Sequence, residues 1–330
     1  MGAIARVLAL KRNTIFCLHS VVPDDAPAHE VGSLAVRASF IARTVRHLRA
    51  RGIDIVPLAE LLRRVETRAT GACVALTFDD GYRDNHETLF PLVRELELPV
   101  TVFVATGLVD RIAPMWWNAL EKAISRAERF VCADGEVDVS DPAVAWRLYL
   151  RLDRQFRRLD LDGRIHLAAE VAARNPAFRL ADAYDAALDW PMIREMTASG
   201  LFEFGCHSID HPLFSNLEAG EVERQVVGSR DRLFAETGQL PQFFAYPFGR
   251  DDEVGPLAPR VVARAGFEAG FTTEASPVGR GHLAVRARIP RVMLSSKAQH
   301  PFVVQAYMSG VPSALRRIGG RTARRAAGWS

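Results

Sequence analysis

The sequence predicts an α/β protein built on a parallel sheet, either an open doubly wound sheet or a closed barrel. Three observations carry this. Seven short apolar runs bounded by turn residues recur along the chain, and several are near-continuous rather than alternating, as strands buried on both faces are. Stretches with helical spacing lie between them. The chain has 330 residues, 48% hydrophobic and 25% charged, enough for one large α/β domain or two modest ones.

In chain order, the first strand is expected at Thr14–Leu18. Phe40, Val45 and Leu48, then Leu58, Leu61 and Leu62, recur at helical spacing before a second strand at Cys73–Phe78. Leu89, Leu92, Val93 and Leu96 follow it at the same period. Further strands are expected at Val100–Ala105, Leu201–Gly205, Phe243–Pro247, Gly270–Thr273 and Ile289–Leu294. Glu221–Thr237 reads as a helix closed by Gly238, with Pro241 just beyond. Residues from about 111 to 190 break the rhythm. They open with Met115-Trp116-Trp117, continue as arginine-rich helical sequence and contain no convincing strand. This stretch reads as a helical insertion within a single domain spanning 1–330. Trp116 and Trp117 either line a sugar site through their aromatic faces or pack the insertion onto the main domain.

Composition excludes several classes. The 42 Lys+Arg nearly balance 39 Asp+Glu, a formal charge of +3, which gives no case for nucleic-acid binding. A disordered chain, a collagen-like fibre and a small disulfide scaffold are likewise excluded. Cys17, Cys73, Cys132 and Cys206 are widely spaced, without a C-x-x-C pair, and three read as small buried hydrophobes. The apolar stretch Val7–Leu10 is too short for a signal-peptide core, and no run of eighteen apolar residues occurs, so a cytoplasmic protein without a transmembrane helix is expected. A basic tail from about 312 to 330 carries five arginines between Arg316 and Arg325, read either as a solvated tail or as a peripheral membrane contact.

Four polar clusters sit where an expected strand ends: His19; Asp79-Asp80-Gly81-Tyr82; Cys206-His207-Ser208-Ile209-Asp210-His211; and Pro247-Phe248-Gly249. Active sites of parallel α/β folds assemble at strand carboxyl ends, so the four suggest one pocket. Adjacent carboxylates repel unless a cation is near, so Asp79 and Asp80 read either as a metal ligand beside a base or as a loop and capping pair. Histidines at i and i+4 share one face of a helical turn, which lets His207 and His211 hold one ion. With an aspartate they make three ligands and an open position, the donor set of a catalytic zinc site suited to amide or ester hydrolysis. Cys206 is expected in the core, Asp210 facing solvent or behind the ligands, and Arg83, Asp84 and His86 at a helix end.

Thr77-Phe78-Asp79-Asp80-Gly81-Tyr82 together with His207-Ser208-x-x-His211 closely resembles the polysaccharide deacetylase family, the NodB-homology domain of carbohydrate esterase family four. Phe244-Ala245-Tyr246-Pro247-Phe248-Gly249, the opening Cys17-Leu18-His19-Ser20-Val21, and Ile289-Pro290-Arg291 resemble its exopolysaccharide-associated branch. The resemblance implies a distorted (β/α) barrel of the NodB-homology type. It implies a divalent metal, most often Zn2+ with Co2+, Ni2+ or Fe2+ as alternatives, held by Asp80, His207 and His211. Asp79 is implied as general base and the Phe248 N–H as oxyanion donor, with Tyr246 and Pro247 beside it. The family's third motif begins with an arginine that orients the base. Ala245 stands there, and Arg291 of Ile289-Pro290-Arg291 is a candidate to supply the charge from another strand. The late L-x-H motif that provides the general acid is not visible, and the resemblance implies His19 in that role, since it ends the first strand at the same rim. The implied reaction removes acetyl groups from N-acetylated amino sugars of an oligo- or polysaccharide in cell-surface glycan biosynthesis. The alternatives are an O-acetyl esterase and a non-catalytic carbohydrate-binding protein.

Overall fold

The computed structural model describes residues 12–27 and 31–315. The strands are β1 (Thr14–Leu18), β2 (Ser20–Val22), β3 (Ala35–Arg37), β4 (Asp54–Ile55), β5 (Cys73–Phe78), β6 (Val100–Val104), β7 (Arg129–Cys132), β8 (Gly135–Asp138), β9 (Phe202–Cys206), β10 (Phe243–Ala245), β11 (Ala269–Phe271) and β12 (Val292–Met293). Seven run in the order β11-β10-β9-β6-β5-β1-β12, with β4 beside β5, and every pairing is parallel. The two ends of the row are joined by one stretch of chain. Ile289 bridges Phe271 of β11, and three residues later Val292 pairs with Phe16 of β1. The sheet thereby curls into a distorted barrel.

Every residue of β1, β5 and β6 is buried, which explains why their apolar runs show no alternation. Alternate residues nonetheless serve two layers. Phe16, Leu76, Val102, Phe204 and Phe244 pack with Phe40, Val45 and Leu48 of the helix Ala38–Arg49. Ile15, Ala75, Phe103, Phe243 and Phe271 pack with Leu58, Leu61 and Leu62 of the helix Leu58–Thr67. Each large side chain among them contributes roughly 1.5–3 kcal/mol on leaving water. Gly205 has a steric reason to be glycine: a Cβ there would lie 2.5 Å from the Phe103 ring. Cys206 is fully buried in the outer layer, as its place in the strand requires. The helix Ala219–Thr237 ends at Gly238, whose φ of 68° is the left-handed cap expected there.

Between β6 and β9 the chain builds a second apolar cluster around Trp116, Leu120, Phe130, Leu152, Phe156 and Phe178. Its long helices are Trp116–Arg126, Pro142–Arg158 and Leu161–Arg174, the latter two capped by Asp141 and Asp160. One expectation for this region is corrected. β7 and β8 form an antiparallel hairpin, and Gly135 at φ 130° opens the returning strand. The Asp134-Gly135 dipeptide was the available signal. Asn175 fastens the hairpin, accepting from the Val131 N–H at 2.7 Å and donating to the Val131 carbonyl at 2.9 Å. Among the described residues no helix is long and apolar enough to cross a membrane. Val7–Leu10 and Arg316–Arg325 lie outside the described residues.

Candidate active site

Backbone ladders extend one residue past the strands and set the polar clusters side by side. The Asp79 N–H donates to the Leu18 carbonyl at 2.9 Å, and the His207 N–H to the Val104 carbonyl at 2.9 Å. Asp79 follows the inward face of β5, whereas Asp80 takes φ 71° and turns away. Ser208, His211 and Phe248 also have positive φ, so four of the seven described non-glycine residues in that region belong to these loops. Such conformations cost of order 1–3 kcal/mol each and persist where surrounding structure enforces them.

The two neighbouring carboxylates have opposite surroundings. Asp79 is gripped by the fully buried Arg291: Nη1 donates to Oδ1 at 2.7 Å and Nη2 to Oδ2 at 2.6 Å. Arg291 Nη1 also donates to the Thr77 hydroxyl at 3.0 Å. Burial acts to raise the Asp79 pKa, but Arg291, with His207 and His19, outweighs it and holds the carboxyl below its ordinary range. The Cys17 thiol adds a third contact, 3.2 Å from Asp79 Oδ2, and burial pushes that thiol well above its ordinary pKa. Reading Cys17 as a plain buried hydrophobe missed this. The signal was its place two residues before His19, on the same face of β1.

Asp80 faces imidazoles instead. Its Oδ1 lies 3.2 Å from His207 Nε2 and 3.3 Å from His211 Nε2, and neither contact is a hydrogen bond. His207 Nδ1 is 2.8 Å from the Ala245 carbonyl, which can only accept, so that nitrogen donates there and the ring is turned with Nε2 toward Asp80. His211 is pushed down to about 4, chiefly by burial, and is neutral at pH 7. A carboxylate oxygen and two imidazole nitrogens converging in a buried place are a donor set suited to a cation. Donors about 2.0–2.1 Å from a tetrahedral zinc lie about 3.3 Å apart, so the residues fit such an ion. Cys17, His19 and Asp79 also cluster within 4.8 Å, but the guanidinium on Asp79 makes that set a poor cation site.

The i, i+4 argument for the histidines is corrected: residues 207–211 form no helical turn. The left-handed conformations of Ser208 and His211 bring the rings together at a centroid distance of 5.0 Å. The Ser208 hydroxyl accepts from the His211 N–H at 3.1 Å. Arg164, buried in the helix Leu161–Arg174, donates to the Asp210 carbonyl at 2.7 Å and the His211 carbonyl at 3.3 Å, a clamp the sequence did not disclose. Asp210 is buried rather than solvent-facing and accepts from Gln225 at 2.9 Å.

A cavity of about 1110 Å³ opens on Asp79, Asp80, His207 and His211. His19 lines it with a buried Nδ1 that has no hydrogen-bond partner. Phe248 also lines it, its ring 4.7 Å from that of His211, and its N–H donates to no group among the described residues. Tyr246 is not at the site: it is fully buried in the outer layer and donates to the Ala287 carbonyl at 2.8 Å. Pro247 is buried and accepts from the Gly249 N–H within its turn at 2.7 Å. Trp117 edges the cavity 4.6 Å from the His211 ring and donates to the Tyr82 hydroxyl at 2.8 Å. Trp116 also lines the cavity, although it is 1% exposed and stacks on Phe156 at 4.7 Å. Of two further histidines late in the chain, His282 lines the cavity and His300 caps the helix Pro301–Ser309. Asp84 accepts from the Val21 N–H at 3.0 Å and the Ser20 hydroxyl at 2.5 Å, outside the cavity lining.

The sequence pattern of the polysaccharide deacetylase family matches residues 66–270. Among solved structures, the chain is similar to the deacetylase PplD of Streptococcus pyogenes in complex with acetate, at 16% identity and TM-score 0.59, covering 91% of this chain and 99% of that one. IcaB from Ammonifex degensii aligns at 20% identity and TM-score 0.58, covering 91% and 97%. A de-N-acetylase from Aggregatibacter actinomycetemcomitans aligns at 14% identity and TM-score 0.57, covering 89% and 99%. At these identities the likeness is one of fold. No curated protein matches the sequence.

Proposed function

The chain belongs to the polysaccharide deacetylase family of hydrolases, and from that footing we propose that it removes N-acetyl groups from amino sugars of a glycan, using a divalent metal held by Asp80, His207 and His211. The observation that carries this reading is the division between neighbours: Asp79 is forked by Arg291, while Asp80 meets the Nε2 atoms of His207 and His211 at 3.2 and 3.3 Å.

The metal, when bound, supplies a Lewis acid that polarises the acetyl carbonyl and activates the attacking water. The remaining roles fall to the chain. Asp79, kept ionised by Arg291, takes the proton of the attacking water at Oδ1 or Oδ2. The Phe248 N–H, held by the strained turn, donates to the developing oxyanion. His19 delivers a proton to the departing sugar amine. Trp117 and Phe248, packed on His211, keep bulk water from the cluster.

Acetate release from chitooligosaccharides by the purified protein is the test. Release is expected to stop on chelation and return with zinc or cobalt; release indifferent to chelation would overturn the metal reading. His207→Ala is expected to lose metal and activity together, seen as metal content per chain alongside turnover. His19→Ala is expected to lower turnover by about 10²–10⁴-fold with metal content unchanged. Wild-type turnover in that variant would remove His19 from the mechanism.

A further inference from the structure

The mechanism uses only the inner end of a long cavity. One wall is the helix Pro142–Arg158, which presents Tyr149, Asp153 and Arg157 to it at i, i+4 and i+8. At the inner end of this stripe the Arg157 guanidinium lies 4.0 Å over the Phe248 ring, and that ring abuts His211. At the outer end stands Trp146, one turn before Tyr149 and 38% exposed, with the two rings stacked at 5.2 Å and 13°. Trp146 and Tyr149 edge a second cavity of about 390 Å³. Its other walls include Ile124, Val139 and Pro142, with Ser140 and Glu121 as polar groups. Tyr149 lines both cavities, so they adjoin. Lys297 reaches across from the opposite side, 4.9 Å from the Trp146 ring.

An aromatic pair left partly in water beside a small, mostly apolar cavity suits a ring with one apolar face and a rim of hydroxyls. A pyranose is such a ring. From Arg157 to Trp146 the helix rises about 16 Å, the length of a few linked sugars rather than one. The main cavity, at about 1110 Å³, is likewise larger than a single acetylated sugar fills.

We propose that the cavity edged by Trp146 and Tyr149 is a second sugar subsite. It takes a ring of the same acetylated glycan chain whose acetyl group lies at the Asp80–His207–His211 cluster, and it makes the enzyme selective for chains over single sugars. The inference rests on the glycan deacetylase reading above. Neither tryptophan considered from sequence lies at this second cavity, since Trp116 and Trp117 line the main one.

The test measures binding of chitopentaose and of N-acetylglucosamine to the metal-loaded protein by calorimetry, with acetate release from both in parallel. Wild type is expected to bind the pentamer more tightly than the monomer. Trp146→Ala is expected to lower the pentamer-to-monomer affinity ratio by about tenfold, and Trp146→Phe to restore most of it. A variant that merely misfolds loses both ligands and leaves no such ratio, and the phenylalanine variant then reads the aromatic contribution alone. Equal binding of pentamer and monomer by wild type, or a ratio unchanged in Trp146→Ala, would overturn the subsite. The two readings fail separately. Tryptophan-dependent pentamer binding without acetate release keeps the subsite and removes the deacetylase. Acetate release with a tryptophan-independent ratio does the reverse.

Discussion

Asp79→Asn is expected to bind its metal normally and to turn over acetylated substrate about 10²–10⁴-fold more slowly than wild type, the range a positioned general base contributes. The amide cannot accept a proton from water, yet it keeps the shape of the carboxylate between Arg291 and Cys17. Metal retention is expected because Asp79 faces the guanidinium and the three converging donors belong to Asp80, His207 and His211. Acetate release and metal content on one preparation check both halves. Wild-type turnover would remove Asp79 as base. Lost metal would show that the two aspartates share the ion.

Arg291→Met is expected to be the most damaging substitution for the fold. It leaves the Asp79 carboxylate buried without its partner, and breaking a buried pair from one side costs about 3–5 kcal/mol. Urea unfolding reads this as a lower midpoint with an unchanged slope. The pH dependence separates it from a simple packing loss. In the wild type the folded-state pKa of Asp79 lies below the ordinary 3.8, so the pair's stabilisation is complete above that value and is lost only as pH falls through the folded pKa. In the variant burial acts unopposed by Arg291 and raises the folded pKa, so the folded state gains by keeping the proton. The deficit is therefore expected to widen from pH 5 to pH 8. A deficit independent of pH would mean that methionine packs badly and that the charge pair matters little.

The strands were legible because both-face burial leaves apolar runs that need no distant information: Thr14–Leu18 and Cys73–Phe78 fall where the sequence puts them. That Asp80, His207 and His211 would come together was legible too, since polar residues at strand ends are conspicuous after such runs. How they converge was not, because the left-handed turns at Ser208 and His211 are imposed by contacts such as those of Arg164. Tyr246 was assigned to the wrong side. Ala245 faces the barrel interior, so the next residue points out into the helix layer, and strand alternation alone carried that information. The hairpin β7–β8 was hidden by the arginine-rich helices around it. Trp146 and Cys17 are single residues whose meaning lies in neighbours far along the chain.

The stretch Ile289–Met293 joins the two ends of the sheet and carries Arg291. Asp79 and its counter-charge are thus 212 positions apart in the chain. A ribosome delivers the carboxylate long before the guanidinium. Until the last strand docks, Asp79 has either to stay hydrated or to stay protonated, and β1 and β11 remain open edges. Closing so wide a loop comes late on entropic grounds. Assembly of the Asp79–Arg291 pair and sealing of the sheet are then one event. A nascent or truncated chain that stops before Ile289 lacks both.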